Sequence, residues 1–198
     1  QALDRPKLTF NTESIDRAIS QYDIAIRLRV DPSILVSRGK AFGTKAEWLT
    51  MTGQDSEDAN HLSFLDLRAA KNLAPKDSMI HNWLAITLLQ NATGRIFQPE
   101  GRGDMAGAAD KVEDALFAIN EAVRLDPKNG SFYHNRAVAY GLRCFLDIHA
   151  GNDPGLDIEK AQERMMDAEL DEPGAGVSEL VTTTNHIWQI HNKYLITE

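Results

Sequence analysis

Apolar and polar positions along the chain recur with a helical period, and they do so in copies. Ile15, Ala18, Ile19, Tyr22, Ala25 and Ile26 mark one stripe. Val112, Ala115, Leu116, Ile119, Ala122 and Val123 repeat it in the same spacing. Ser63, Phe64, Leu67 and Ala70 keep most of it, with Lys71 in last place, and Ile158, Ala161, Met165 and Ala168 keep its small and large members. Residues at these separations share one face of an α-helix. Small residues seven apart admit a close neighbour, and the larger residue between them fills the gap. A proline follows every copy, at Pro32, Pro75, Pro127 and Pro173, and a proline cannot continue a helix.

A second helix type lies between the copies. Val36-Ser37-Arg38-Gly39-Lys40-Ala41-Phe42 aligns without gaps on His134-Asn135-Arg136-Ala137-Val138-Ala139-Tyr140, and His81-Asn82-Trp83-Leu84-Ala85-Ile86-Thr87 aligns more loosely. Two alternating helix types, neither able to bury its stripe alone, meet the physical condition for a solenoid. The pattern predicts eight helices, at about 12–30, 33–50, 56–73, 78–93, 106–125, 130–149, 156–171 and 176–195. Residues 1–11 form an N-terminal tail. Repeats follow at about 12–32, 33–75, 76–127 and 128–173, and 174–198 reads as a capping helix whose Thr182-Thr183-Thr184-Asn185 run gives a polar outer face.

These residues resemble the tetratricopeptide repeat (TPR) family. The run Glu121-Ala122-Val123-Arg124-Leu125-Asp126-Pro127 is similar to that family's second helix and its proline, and Phe132 to Tyr140 to the next first helix. The resemblance spans about 12–173 and implies an all-α, right-handed superhelical solenoid of antiparallel helix pairs. The equivalent alanines Ala25, Ala70, Ala122 and Ala168 stand 45, 52 and 46 residues apart, against a family period of about 34. Extra length is therefore expected in Met51–Asn60, Arg95–Ala106 and Ala150–Gly155. Leu84, aligned with the small Gly39 and Ala137, predicts a wider spacing for its pair.

Composition narrows the function. The chain is 42% hydrophobic and 25% charged, as globular domains are, and its net charge of −8 argues against phosphate binding and so against nucleic acid. No run approaches the roughly 20 apolar residues of a membrane span. Cys144 is the single cysteine and cannot pair within the chain. The chain opens Gln1-Ala2-Leu3 without methionine, which fits a removed leader or a truncation, and the compartment, cytoplasmic or exported, stays open.

Candidate chemistry is sparse. None of the six histidines has the spacing of a helical zinc site, and His186 and His191, five apart, turn away from each other. Gly101-x-Gly103 follows no strand, the acidic run from Asp147 to Asp157 lacks the order of a calcium loop, and no nucleophile motif stands out. No metal, cofactor or catalytic residue is expected. The resemblance implies that first-type helices line a concave groove, which would hold Val36, Ser37 and Lys40, then His81, Asn82 and Ala85, then His134, Asn135 and Val138. With Lys40 the one cation among them, a mixed polar and apolar peptide suits the groove better than a terminal carboxylate. The equal alternative for Asn82 and Asn135 is a structural role, bonding the neighbouring helix's backbone. The function expected is a non-enzymatic scaffold for a protein or peptide, with self-association open at an exposed end. The alternative is an accessory subunit docking through its insertions, and a helical metal-dependent enzyme ranks third.

Overall fold

The computed structural model describes residues 12–96, 103–153 and 155. These residues form six α-helices and no strand: α1 (Glu13–Leu28), α2 (Pro32–Met51), α3 (Glu57–Leu73), α4 (Ser78–Ile96), α5 (Met105–Leu125) and α6 (Gly130–Ala150). Each corresponds to one of the first six predicted helices. The expected helices at 156–171 and 176–195, the cap and the tail lie outside the described residues.

Helices of the first kind, α1, α3 and α5, stop at one point in their pattern. Arg29 N–H bonds to the Ala25 carbonyl, Ala74 N–H to Ala70 and Asp126 N–H to Ala122, at 2.9, 2.9 and 3.0 Å. Each cap residue leaves the helical region, which ends the ladder. The prolines then act in two ways. Pro75 and Pro127 sit in the turns, whereas Pro32 is the first residue of α2, where its missing N–H costs nothing. Asp31, Asp77 and Asn129 follow with side-chain oxygens that accept the N–H two residues on, at Ser33, Met79 and Ser131, and so start α2, α4 and α6.

Contacts between elements join each helix to the next in sequence, and beyond that only α2 to α4 and α4 to α6. The most extensive interfaces are α4 with α5 and α2 with α3. Two apolar clusters result. The larger runs from Leu67 through Leu84, Leu88, Val112, Leu116 and Ile119 to Phe132 and Leu146, and a smaller one joins Leu35, Ala70 and Ile80, with Ile26 packed against it. At Gly39 an added Cβ would come within 3.1 Å of Leu67 Cγ and 3.3 Å of the Ser63 carbonyl. The α2–α3 seam is therefore closed at a distance that a larger side chain would force apart.

The turn contacts also fix which residues are equivalent. Pro75 and Pro127, Ala70 and Ala122, Asp77 and Asn129, Met79 and Ser131 are each 52 apart, and each pair does the same job. The Pro75 carbonyl bonds to His81 Nε2 at 2.9 Å, and the Pro127 carbonyl accepts from Tyr133 Oη at 2.8 Å. His81 thus corresponds to Tyr133 rather than to His134, and the looser alignment of α4 is one residue out of register. In the corrected register Ala85, fully buried, matches Gly39 and Ala137, so the small position is kept. The corrected register thus removes the reason for expecting a wider spacing at Leu84.

Leu84 instead stands where α2 carries Arg38 and α6 carries Arg136. Arg38 donates two bonds to Asp66 on α3, at 2.7 and 2.6 Å, and one to Asp23 on α1, at 2.6 Å. The bond to Asp66 foremost, and that to Asp23, hold the guanidinium well above its ordinary pKa against the opposing effect of burial. Arg136 reaches Asn120, the counterpart of Asp23, at 3.5 Å. On α4 and α5 the corresponding positions are Leu84 and Ala118, both in the larger apolar cluster. The same junction is built once from an ion pair and once from apolar packing.

Removing one partner from a buried pair leaves an uncompensated charge, whereas replacing both is close to neutral. Arg38→Leu should therefore lower unfolding stability by about 3 kcal/mol. Arg38→Leu with Asp66→Ala, which copies Leu84 and Ala118, should recover most of that loss. Chemical denaturation of the three proteins measures both.

Candidate docking face on α2, α4 and α6

Because α2, α4 and α6 touch one another while α1, α3 and α5 do not, the second-type helices form a continuous row. A half-open pocket of about 390 Å³ lies on it. Ala46, Glu47, Thr50 and Met51 of α2, Ile86, Leu89, Gln90 and Thr93 of α4, and Asn135, Val138 and Leu142 of α6 line it, with Asn60 of α3. The walls are mainly aliphatic, and Glu47 is the one charged lining residue.

Four of the polar side chains here already donate one hydrogen bond each. Thr50 Oγ1 donates to Ser56 Oγ at 2.9 Å, and Thr93 Oγ1 to the Leu89 carbonyl at 2.9 Å. Asn60 Nδ2 donates to Ser56 Oγ at 3.3 Å, and Asn135 Nδ2 to Asn82 Oδ1 at 2.7 Å. A hydroxyl has a single proton to give, so both threonines are left with lone pairs only. Asn60 is 4% exposed, and its Oδ1 is buried without a hydrogen-bond partner. Such an acceptor costs on the order of 1–3 kcal/mol while it stays unpaired.

The nine expected groove residues divide. Asn135 and Val138 line the pocket. Val36 is half-buried against both apolar clusters, and Ser37 Oγ donates to the Ser33 carbonyl of its own helix. Lys40 is exposed and places its Nζ 3.9 Å from the centre of the Trp83 ring, a cation–π contact between α2 and α4. His134 is half-buried. His81, Asn82 and Ala85 are buried, so these three do not offer side chains to a groove.

The physical reason is the register. A one-residue slip turns a helix position by about 100°, which moved the α4 reading from the open face into the core. Counted correctly, the counterparts of His134, Asn135 and Val138 are Asn82, Trp83 and Ile86, and Ile86 does line the pocket beside Val138. The spacing of Pro75 and Pro127 held the signal for this. Asn60, Thr50, Thr93 and Leu142 carried none, because the repeat pattern marks buried stripes and says nothing of where a seam stays unfilled.

Asn135 and Asn82 bond to each other, side chain to side chain from α6 to α4, rather than to a neighbouring helix's backbone, and Asn135 also reaches the pocket. Among the described residues no group of three or more His, Cys, Asp or Glu side chains is placed to hold a metal ion, and no helix is long and apolar enough to cross a membrane. Cys144 is buried. Arg95 closes the base of the Arg95–Ala106 insertion through Asp104, at 2.6 Å, while 97–102 lie outside the described residues. Comparisons with protein-family models, with curated proteins and with solved structures gave no match for this chain.

Asn135→Leu should lower stability by about 1–3 kcal/mol, because it strands the buried Asn82 Oδ1. Replacing both asparagines by leucine should cost less than the single change. A double-mutant cycle in denaturant gives the coupling directly.

Proposed function

We propose that this chain is a non-enzymatic interaction scaffold, a TPR-like α-solenoid that holds a segment of a partner protein along the face made by α2, α4 and α6. The observation that carries the reading is the pocketed, aliphatic row of second-type helices. Three helices distant in sequence come together there and leave apolar wall uncovered. Contacts confined to the next and next-but-one helix support a layered array with two unlike sides. Repeated helix stops at Ala25, Ala70 and Ala122 support the repeat itself.

Chemistry on the face favours an extended segment of mixed character. Apolar side chains of the segment would be covered by Ile86, Leu89, Val138 and Leu142, and its polar groups would meet Glu47, Gln90 and the threonines. A net charge of −8 on the chain selects neutral or basic partners over acidic ones.

The test is selection of binding peptides from a random display library on the intact chain. Glu47 and Met51 are exposed at the pocket, so changing them leaves the core intact. Glu47→Lys with Met51→Asp should weaken the selected peptides by about tenfold or more. Phe117→Ser, an exposed change on α5, should leave them unaffected. Selection that yields no binder, or binders indifferent to the α2 changes, would remove the reading.

A further inference from the structure

Charge on the docking face is scarce and ordered. Between Ser78 and Gly94, α4 carries no lysine, arginine, aspartate or glutamate, and between Gly130 and Leu142 α6 carries only Arg136, which is buried. On α2 the charged residues are Arg38, Lys40, Lys45 and Glu47. Arg38 is tied to Asp23 and Asp66, and Lys45 to Asp16 at 2.7 Å, so both serve the seams with α1 and α3. Lys40 and Glu47 are exposed, and neither forms an ion pair among the described residues.

Their placement follows from the seam between α2 and α4. Lys40 lies over the Trp83 ring, a Cβ at Gly43 would come within 3.3 Å of Gln90 Oε1, and Glu47 lines the pocket beside Gln90 and Thr93. The two helices therefore run side by side in one direction, with Lys40, Gly43 and Glu47 on the edge that meets α4. Seven residues are close to two full turns, so the ammonium and the carboxylate leave the same side of α2 about 10 Å apart along its axis. On α4, Ile86 falls between Trp83 and Gln90 and lines the pocket with Val138. The Trp83 ring also holds the ammonium in place, so it loses less freedom on meeting a carboxylate than an unrestrained lysine would.

We propose that this edge reads the order of charges in the partner: an acidic side chain opposite Lys40, a basic one opposite Glu47, and an apolar residue between them on Ile86 and Val138. The inference rests on the scaffold reading and narrows its partner to a segment that carries both signs and is neutral overall. Spacing fixes the rest. In a polyproline-like extended segment residues three apart share a side and stand about 9 Å apart, whereas strand residues three apart face opposite ways. The acid and the base are therefore three positions apart in the partner. A wholly basic or wholly acidic segment would set a like charge against Lys40 or Glu47 and bind less well.

Peptides selected from a random display library on the intact chain supply the probe. Their charges are neutralised one at a time and tested against the unaltered chain, Lys40→Met and Glu47→Gln. Both positions are exposed, and the methionine keeps an aliphatic stem beside Trp83, so the fold is retained. Neutralising the acid should weaken binding about two- to fivefold on the unaltered chain and on Glu47→Gln, and have no effect on Lys40→Met. Neutralising the base should show the mirror dependence, with its effect lost on Glu47→Gln alone. Selected peptides should carry the two charges three positions apart. Losses that do not depend on which protein charge is present overturn the proposal, as does a different spacing. Peptides that Met51→Asp weakens, while Lys40→Met and Glu47→Gln do not, overturn it and leave the scaffold standing. A library that yields no binder removes both.

Discussion

Among the described residues each helix packs chiefly on the next in sequence, and the layout of the core follows from those seams. Contacts end at the next-but-one helix, and most buried apolar side chains join one cluster running across α3, α4, α5 and α6, with a smaller one at Leu35, Ala70 and Ile80. Small residues make this workable. Gly39, Ala85 and Ala137 let the second-type helices approach their partners, while Ala70, Ala115 and Ala122 do the same from the other side. With those seams closed by backbone approach, the larger side chains are free to fill gaps between layers. The pocket opens where they do not fill one.

The junction at Arg38 shows how loosely chemistry is tied to architecture here. Asp23, Arg38 and Asp66 tie α1, α2 and α3 with charge, and Leu84 with Ala118 occupies the matching place without any. Arg68 falls where Asp23 and Asn120 stand in the other two layers, so an arginine at position 84 would have met another arginine instead of an acceptor. An uncharged leucine at 84 avoids that like-charge encounter. Position in the repeat fixes the helix, and local pairing fixes the residue.

Much of this was legible in the sequence because it is periodic. The alanine spacing placed six helices near their observed bounds, and the prolines marked the turns, although Pro32 begins a helix instead of ending one. The site was read less well. Aligning His81 with His134 was reasonable on residue type, since both are histidines followed by asparagine, but the turn geometry pairs His81 with Tyr133. That slip of one residue sent His81 and Ala85 to the wrong side of α4. Asn60 could not have been singled out at all, because an unpaired buried acceptor is a property of the assembled walls and leaves no mark in the spacing.

Contacts that stop at the next-but-one helix bear on how stability is distributed, and native-state amide exchange on the intact chain measures it helix by helix. Leu35 belongs to the smaller cluster with Ala70 and Ile80, so Leu35→Ala should speed exchange in α1, α2 and α3. Amides in α5 and in the second half of α6 should keep their protection, as one-dimensional coupling requires. An equal loss of protection in all six helices would contradict the account, because it would mean that the helices share one indivisible core.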